Sequence, residues 1–166
     1  MAATVTIITT DRPRMSVTSE PPRTAVAVPD RHRGCRVCGS PETNPASLGL
    51  VFALGEDGGV AALYHPSIRD RGWDGRMHGG LIATLLDAAM TNALFARGIS
   101  AVTVDLAVRF LAPGPLDRDL TVSAEVLETR HRVHRVVGRL ADGERILARA
   151  TARFMGLPDD CGAHPG

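Results

Sequence analysis

Apolar positions recur along this chain in three rhythms, and each predicts a different element. Residues 48–54 and 60–64 are short apolar blocks around Gly55-Glu56-Asp57-Gly58-Gly59, the pattern of two strands joined by a hairpin. Residues 79–96 are apolar almost without interruption, at helical length, and Gly98 just past their end is a stop signal. The chain then alternates: Val102, Val104, Leu106, Val108 and Phe110 fall on one face of a half-buried strand, and Thr103, Asp105, Ala107 and Arg109 on the other. Pro113-Gly114-Pro115 ends that strand. Alternation returns over 120–127, 133–140 and 146–155, and Ala141-Asp142-Gly143-Glu144 turns the last hairpin. Two strands, one long helix and four consecutive strands with short connections predict an α+β domain, an antiparallel sheet with the helix on one face.

The flanks lack either period. Residues 1–33, rich in Thr, Arg, Pro and Ala and punctuated by Pro21-Pro22 and Pro29-Asp30, are expected to be a disordered leader, with Met15 an alternative start. The expected domain is 34–156, and 157–166 is expected to be a flexible tail.

The helix carries the chemistry. Its opening is His78-Gly79-Gly80, whose glycines leave backbone N–H groups bare at the helix start, where an oxyanion is stabilised. At 100° per residue Gly80, Ala83, Thr84, Asp87 and Thr91 share one weakly polar stripe, and Leu81, Ile82, Leu85, Leu86, Ala89 and Ala93 cover most of the rest. A carboxylate in such a helix is costly unless used, although a bond to a backbone amide or to an Arg of a packed neighbour would also explain it. An oxyanion site and a carboxylate on one element suggest acyl chemistry. Gly79 and Asp87 are about 12 Å apart along a helix axis, too far to act on one carbonyl from the same chain. If both serve one reaction, they come from two subunits with antiparallel helices, and a two-fold dimer makes two such sites.

Composition narrows the alternatives. The formal net charge of +1 and the lack of a long basic block argue against nucleic acid as a partner. No apolar run approaches the roughly 18 residues of a membrane span, and the N-terminus lacks the pattern of a signal peptide. A cytoplasmic protein with reduced thiols is expected. The cysteines are Cys35, Cys38 and Cys161. Cys35-x-x-Cys38 with Cys161-x-x-His164 has acceptable zinc spacing, but the favoured reading is small residues in a loop, with no metal.

The His78-Gly79-Gly80 turn, Asp87 in its Leu-Leu-Asp helix, Thr103-Val104-Asp105 opening the next strand, Phe110-x-x-Pro113 and the final hairpin together resemble the hotdog-fold acyl-CoA thioesterases, in the phenylacetate-pathway (PaaI-like) branch. Cys38-Gly39 followed by Asn44-Pro45 is similar to the start of many members, so the resemblance covers roughly residues 35–155. It implies a curved antiparallel sheet wrapped around the central helix, homodimers joined edge to edge, and often a dimer of dimers. It implies hydrolysis of an acyl-CoA thioester, or less often one on acyl carrier protein, with no cofactor beyond the coenzyme A moiety of the substrate. The Gly79 amide would hold the thioester oxygen, and Asp87 of the partner subunit would activate water or attack directly. Thr103 would orient Asp87 or the water. His78 would either contact the substrate or only fix the turn. Gly80, Met90, Thr91 and Leu94, on or beside the Asp87 stripe, are expected to bind substrate and line the acyl pocket. Arg130-His131-Arg132 would meet the nucleotide phosphates unless it is an ordinary solvated charge cluster. The loop Arg71-Gly72-Trp73-Asp74-Gly75-Arg76 departs from the family in lacking an amide side chain. Two rival readings are a hotdog dehydratase or hydratase of 3-hydroxyacyl thioesters and a non-catalytic acyl-thioester-binding accessory protein.

Overall fold

A computed structural model describes residues 24–55 and 57–158. One helix, α1 (Gly79–Phe95), packs on a seven-stranded antiparallel sheet built from β1 (Thr24–Ala25), β2 (Ala53–Leu54), β3 (Val60–Tyr64), β6 (Ala101–Phe110), β7 (Leu120–Arg130), β8 (Val133–Asp142) and β9 (Arg145–Gly156). Their order is β1-β2-β3-β7-β8-β9-β6, and a separate small hairpin pairs β4 (Arg71–Trp73) with β5 (Arg76–Met77). This is the hotdog architecture. No helix among the described residues is long and apolar enough to cross a membrane.

The packing follows from the side chains on the inner face. On β9 buried Ala148, Ala150, Ala152 and Phe154 alternate with exposed Arg149, Thr151 and Arg153. That row of alanines leaves space for the helix to settle onto the sheet. Gly138 marks the tightest approach on β8: a β-carbon there would meet Met90 Cγ at 3.3 Å and Leu86 Cδ2 at 3.4 Å. Leu85, Leu86, Met90 and Leu94 are fully buried, and each contributes about 1.5–3 kcal/mol by leaving water. Gly98, at φ +71°, ends the helical path as the sequence predicts.

Three expectations change. Residues 24–33 are not structureless: β1 pairs with β2, Val26 is buried, and Asp30–His32 forms a 3-10 turn. Two-residue strands carry no readable period, so the sequence did not reveal β1; residues 1–23 and 159–166 lie outside the described residues. Only Ala53–Leu54 of the expected strand 48–54 joins the ladder. Finally, β6 carries a bulge between Thr103 and Asp105. The extra residue reverses the alternation, so Thr103 sits opposite buried Phe154 on the helix side, in line with Leu106 opposite Ala152. Val102 and Val104 turn outward and stand 49% and 60% exposed on the strand that ends the sheet.

Candidate active site

The small hairpin before the helix builds the His78 turn. Ser67 and Asp70 form a capping box, in which the Ser67 N–H donates to Asp70 Oδ2 at 2.7 Å. The Asp70 carbonyl in turn accepts the His78 N–H at 2.8 Å. The Tyr64 hydroxyl hydrogen-bonds the Asp70 side chain, and burial pushes the phenol above its ordinary range. Gly72 lets the hairpin lie against the turn: a β-carbon there would come within 2.8 Å of His78 Cα.

His78 is the N-cap of α1, and its Nδ1 accepts the Gly80 N–H at 3.0 Å. The same ring lies 3.0 Å from where a Gly80 β-carbon would be, so the second glycine gives the imidazole room to fold over the helix end. With Nδ1 accepting, the neutral ring carries its proton on Nε2. The Leu81 and Ile82 amides donate to the His78 carbonyl, at 3.0 and 3.2 Å. The Gly79 N–H is therefore the one amide of this first turn without a partner among the described residues. Beside it lies the exposed ring of Phe110, with Cζ 3.5 Å from the position of a Gly79 β-carbon.

Two turns further on, Asp87 is half-buried, and Thr103 Oγ1 donates to its Oδ1 at 2.6 Å. The β6 bulge brings this hydroxyl to the helix. Oδ2 has no hydrogen-bond partner among the described residues, and neither an Arg nor a backbone amide neutralises the carboxylate. The structure thus brings together Asp87 with Thr103, and separately His78, Gly79 and Gly80 at the helix start.

The rest of the expected site divides. Met90 and Leu94 are fully buried between helix and sheet, and Thr91 is 8% exposed. In this protomer Met90 and Leu94 are core residues and offer no surface to a ligand; the open part of the stripe ends near Asp87. Arg130 ion-pairs with Glu128, whose carboxyl is held below its usual range by the Arg130 guanidinium. Arg132 donates from Nε and one terminal nitrogen to the Gly156 carbonyl, at 3.1 and 2.7 Å. His131, exposed at φ +53°, makes the turn between β7 and β8. His131 and Arg132 line a groove of about 520 Å³, with Arg31 and His134 across it, near the C-terminal end of α1. His134 is buried and bonded to Thr129 Oγ1 at 3.0 Å, and burial lowers its pKa. In the loop that lacks an amide side chain, Trp73 is 81% exposed and Asp74 pairs with Arg71.

Sequence reasoning missed four contributors: Asp70, Phe110, His32 and Asn92. His32 meets Phe95 edge-on, with ring centroids 4.9 Å apart. Burial lowers its pKa, and the Asp87 charge opposes that shift. Asn92, 1% exposed, lies beside Cys38, whose thiol burial pushes up to about 11.

Comparison with known proteins agrees with this geometry. Residues 74–148 match the model of the thioesterase superfamily. Human acyl-coenzyme A thioesterase 13 is 41% identical over 56 residues, which are 32% of this chain and 40% of that protein. The chain thus matches well under half the length of that curated relative. Among solved structures, a thioesterase-superfamily protein aligns at TM-score 0.68 and 25% identity, over 74% of this chain and 63% of its own. A phenylacetic acid degradation-related protein from Ralstonia eutropha JMP134 aligns at TM-score 0.59 and 26% identity, over 65% and 85%. With its fold, its helix turn and this match over residues 74–148, the chain is similar to the hotdog-fold thioesterase superfamily and resembles its phenylacetate-pathway branch.

Proposed function

We propose that the protein hydrolyses acyl-CoA thioesters as a homodimer, each active site built from the Gly79 end of one helix and Asp87 of the partner subunit. The observation that carries this reading is the pair of unmet polar groups on one helix. Among the described residues the Gly79 N–H has no acceptor and Asp87 Oδ2 no donor, while Thr103 holds Oδ1. The first suits the oxygen of a thioester as it gains charge, and the second suits water, or the carbonyl carbon directly. His78 Nε2–H and Gly80 complete the turn, and Phe110 is a wall beside the oxyanion position. The name of the human relative supports coenzyme A as the carrier.

The exposed valines of β6, on the sheet's last strand, support pairing through that edge, with a dimer of dimers as the larger assembly. His131 and Arg132 in their groove, with Arg130 on the rim, are candidates for the nucleotide phosphates. The cytoplasm, where acyl-CoA is made and used, is the compartment we assign. Thiol release from a panel of acyl-CoAs, followed with a thiol-reactive dye, tests the reaction. Asp87→Asn should stop release and leave the dimer intact. Tight acyl-CoA binding with no turnover by the wild type would favour an accessory binder, and hydration of enoyl thioesters without thiol release would favour a hydratase.

A further inference from the structure

The proposed hydrolysis leaves the Cys35-x-x-Cys38 turn unused, yet the structure surrounds it with more order than a loop needs. The 3-10 turn Asp30–His32 swings the His32 ring onto the cysteines, so that its nitrogen and the two sulfurs lie within 4.8 Å of one another. Both sulfurs have a nitrogen-bearing neighbour. The Val37 amide donates to Cys35 Sγ at 3.4 Å. The Asn92 amide group, buried on α1, donates to the Ala88 carbonyl at 2.9 Å and lies beside Cys38. An N–H donor on Cys35 and an amide beside Cys38 are the kind of outer partner that steadies thiolates bound to a metal. Gly39 is required beneath them, because a β-carbon there would sit 2.4 Å from the Arg33 carbonyl oxygen and 2.5 Å from that of Cys35.

We infer that His32, Cys35 and Cys38 form a zinc-binding site, with its fourth position open to water or an exogenous ligand. Tetrahedral zinc, with Zn–S about 2.3 Å and Zn–N about 2.0 Å, sets its donors roughly 3.5–3.8 Å apart. The turn therefore closes by no more than about an ångström on loading. Two thiols release two protons as the ion binds, and the two thiolates cancel its charge, which suits a half-buried position. The ion would staple residues 29–39 onto the second half of α1 through Asn92 and the Phe95 ring. The tail pair Cys161 and His164, which the sequence spacing offers as the other half of a site, lies outside the described residues; His32 supplies the third ligand instead.

The test uses the full chain, purified reduced and without chelator. It should carry about one zinc per chain by mass spectrometry of the metal. Cobalt(II) in its place should give thiolate-to-metal charge transfer and intense tetrahedral d–d bands. Cys35→Ser and His32→Ala should each weaken zinc retention against a mild chelator by more than about tenfold, while Asn92→Ala weakens it about 10–100-fold and keeps the cobalt spectrum. Cys161→Ser should retain zinc. If a ligand variant does not fold, cobalt titration of chelator-stripped wild type gives the same reading. Wild type without stoichiometric zinc, whose stripped form also takes up no cobalt, would overturn the assignment. So would a Cys35–Cys38 disulfide in freshly purified protein, full retention by His32→Ala, or loss of zinc from Cys161→Ser.

Discussion

The two halves of α1 have nearly the same apolar content and opposite treatment of their polar groups. In the second half the buried Asn92 amide donates to the Ala88 carbonyl, and Met90 and Leu94 are sealed against the sheet. In the first half the Gly79 amide and one oxygen of Asp87 are left open, on the part of the stripe that reaches the surface. Unmet polar groups reduce stability when buried. Their place on the half of the helix that reaches the surface is what the proposed two-chain site explains.

Substitutions in the two halves should separate activity from stability. Asp87→Asn, in the open half, is expected to lower kcat by about 10²–10⁴-fold. The melting temperature should stay near wild type, since no ion pair to that carboxylate forms among the described residues. Near-normal turnover would remove Asp87 from the chemistry. Leu94→Ala, in the sealed half, should do the reverse and cost about 2–5 kcal/mol of stability by chemical denaturation. The folded fraction should keep its kcat; a selective loss of acyl-chain preference would return Leu94 to the pocket. Thr103→Val is isosteric and removes the hydroxyl on Asp87. A hydrogen bond to a charged group is worth about 1.5–3 kcal/mol, so kcat should fall roughly 10- to 100-fold with KM little changed.

The smallest effect lies at the groove, which His134 lines together with Asp30, Arg31 and Arg132. Burial lowers the folded pKa of His134, so the unfolded chain takes up a proton before the folded one does. Stability is then full above about pH 6.5 and declines as pH falls, by at most about 1.4 kcal/mol per pH unit. His134→Asn should flatten this acid limb of the melting temperature against pH. An unchanged limb would mean that other groups set it.

What the sequence showed depended on whether the information was local. The run from Gly79 and the alternation of β7, β8 and β9 are local periods, and the structure repeats them within a residue or two at most ends. The β6 bulge is not local: one looped-out residue reverses which face Thr103 takes, and regular alternation gives no sign of it. Met90 and Leu94 were assigned to the pocket because an apolar helix has no polar border to show where its open stripe ends. His32 was missed because its partners come together only when a 3-10 turn folds back on the helix. The His78-Gly79-Gly80 turn and Asp87 were legible because glycines at a helix start and a carboxylate within apolar residues both break local rules.

The central claim is that Gly79 and Asp87 serve one active site from two chains. His78 already has the extended backbone that precedes proline, and proline is tolerated at the first helical position, so Gly79→Pro removes the amide proton with the helix retained. Gly79→Pro and Asp87→Asn homodimers should both be inactive. Unfolded together in equal amounts and refolded, about half of the dimers pair one chain of each kind, and each mixed dimer holds one intact site of two. The account predicts recovery of about one quarter of wild-type acyl-CoA hydrolysis per chain. Mixed dimers that form and remain inactive would contradict it.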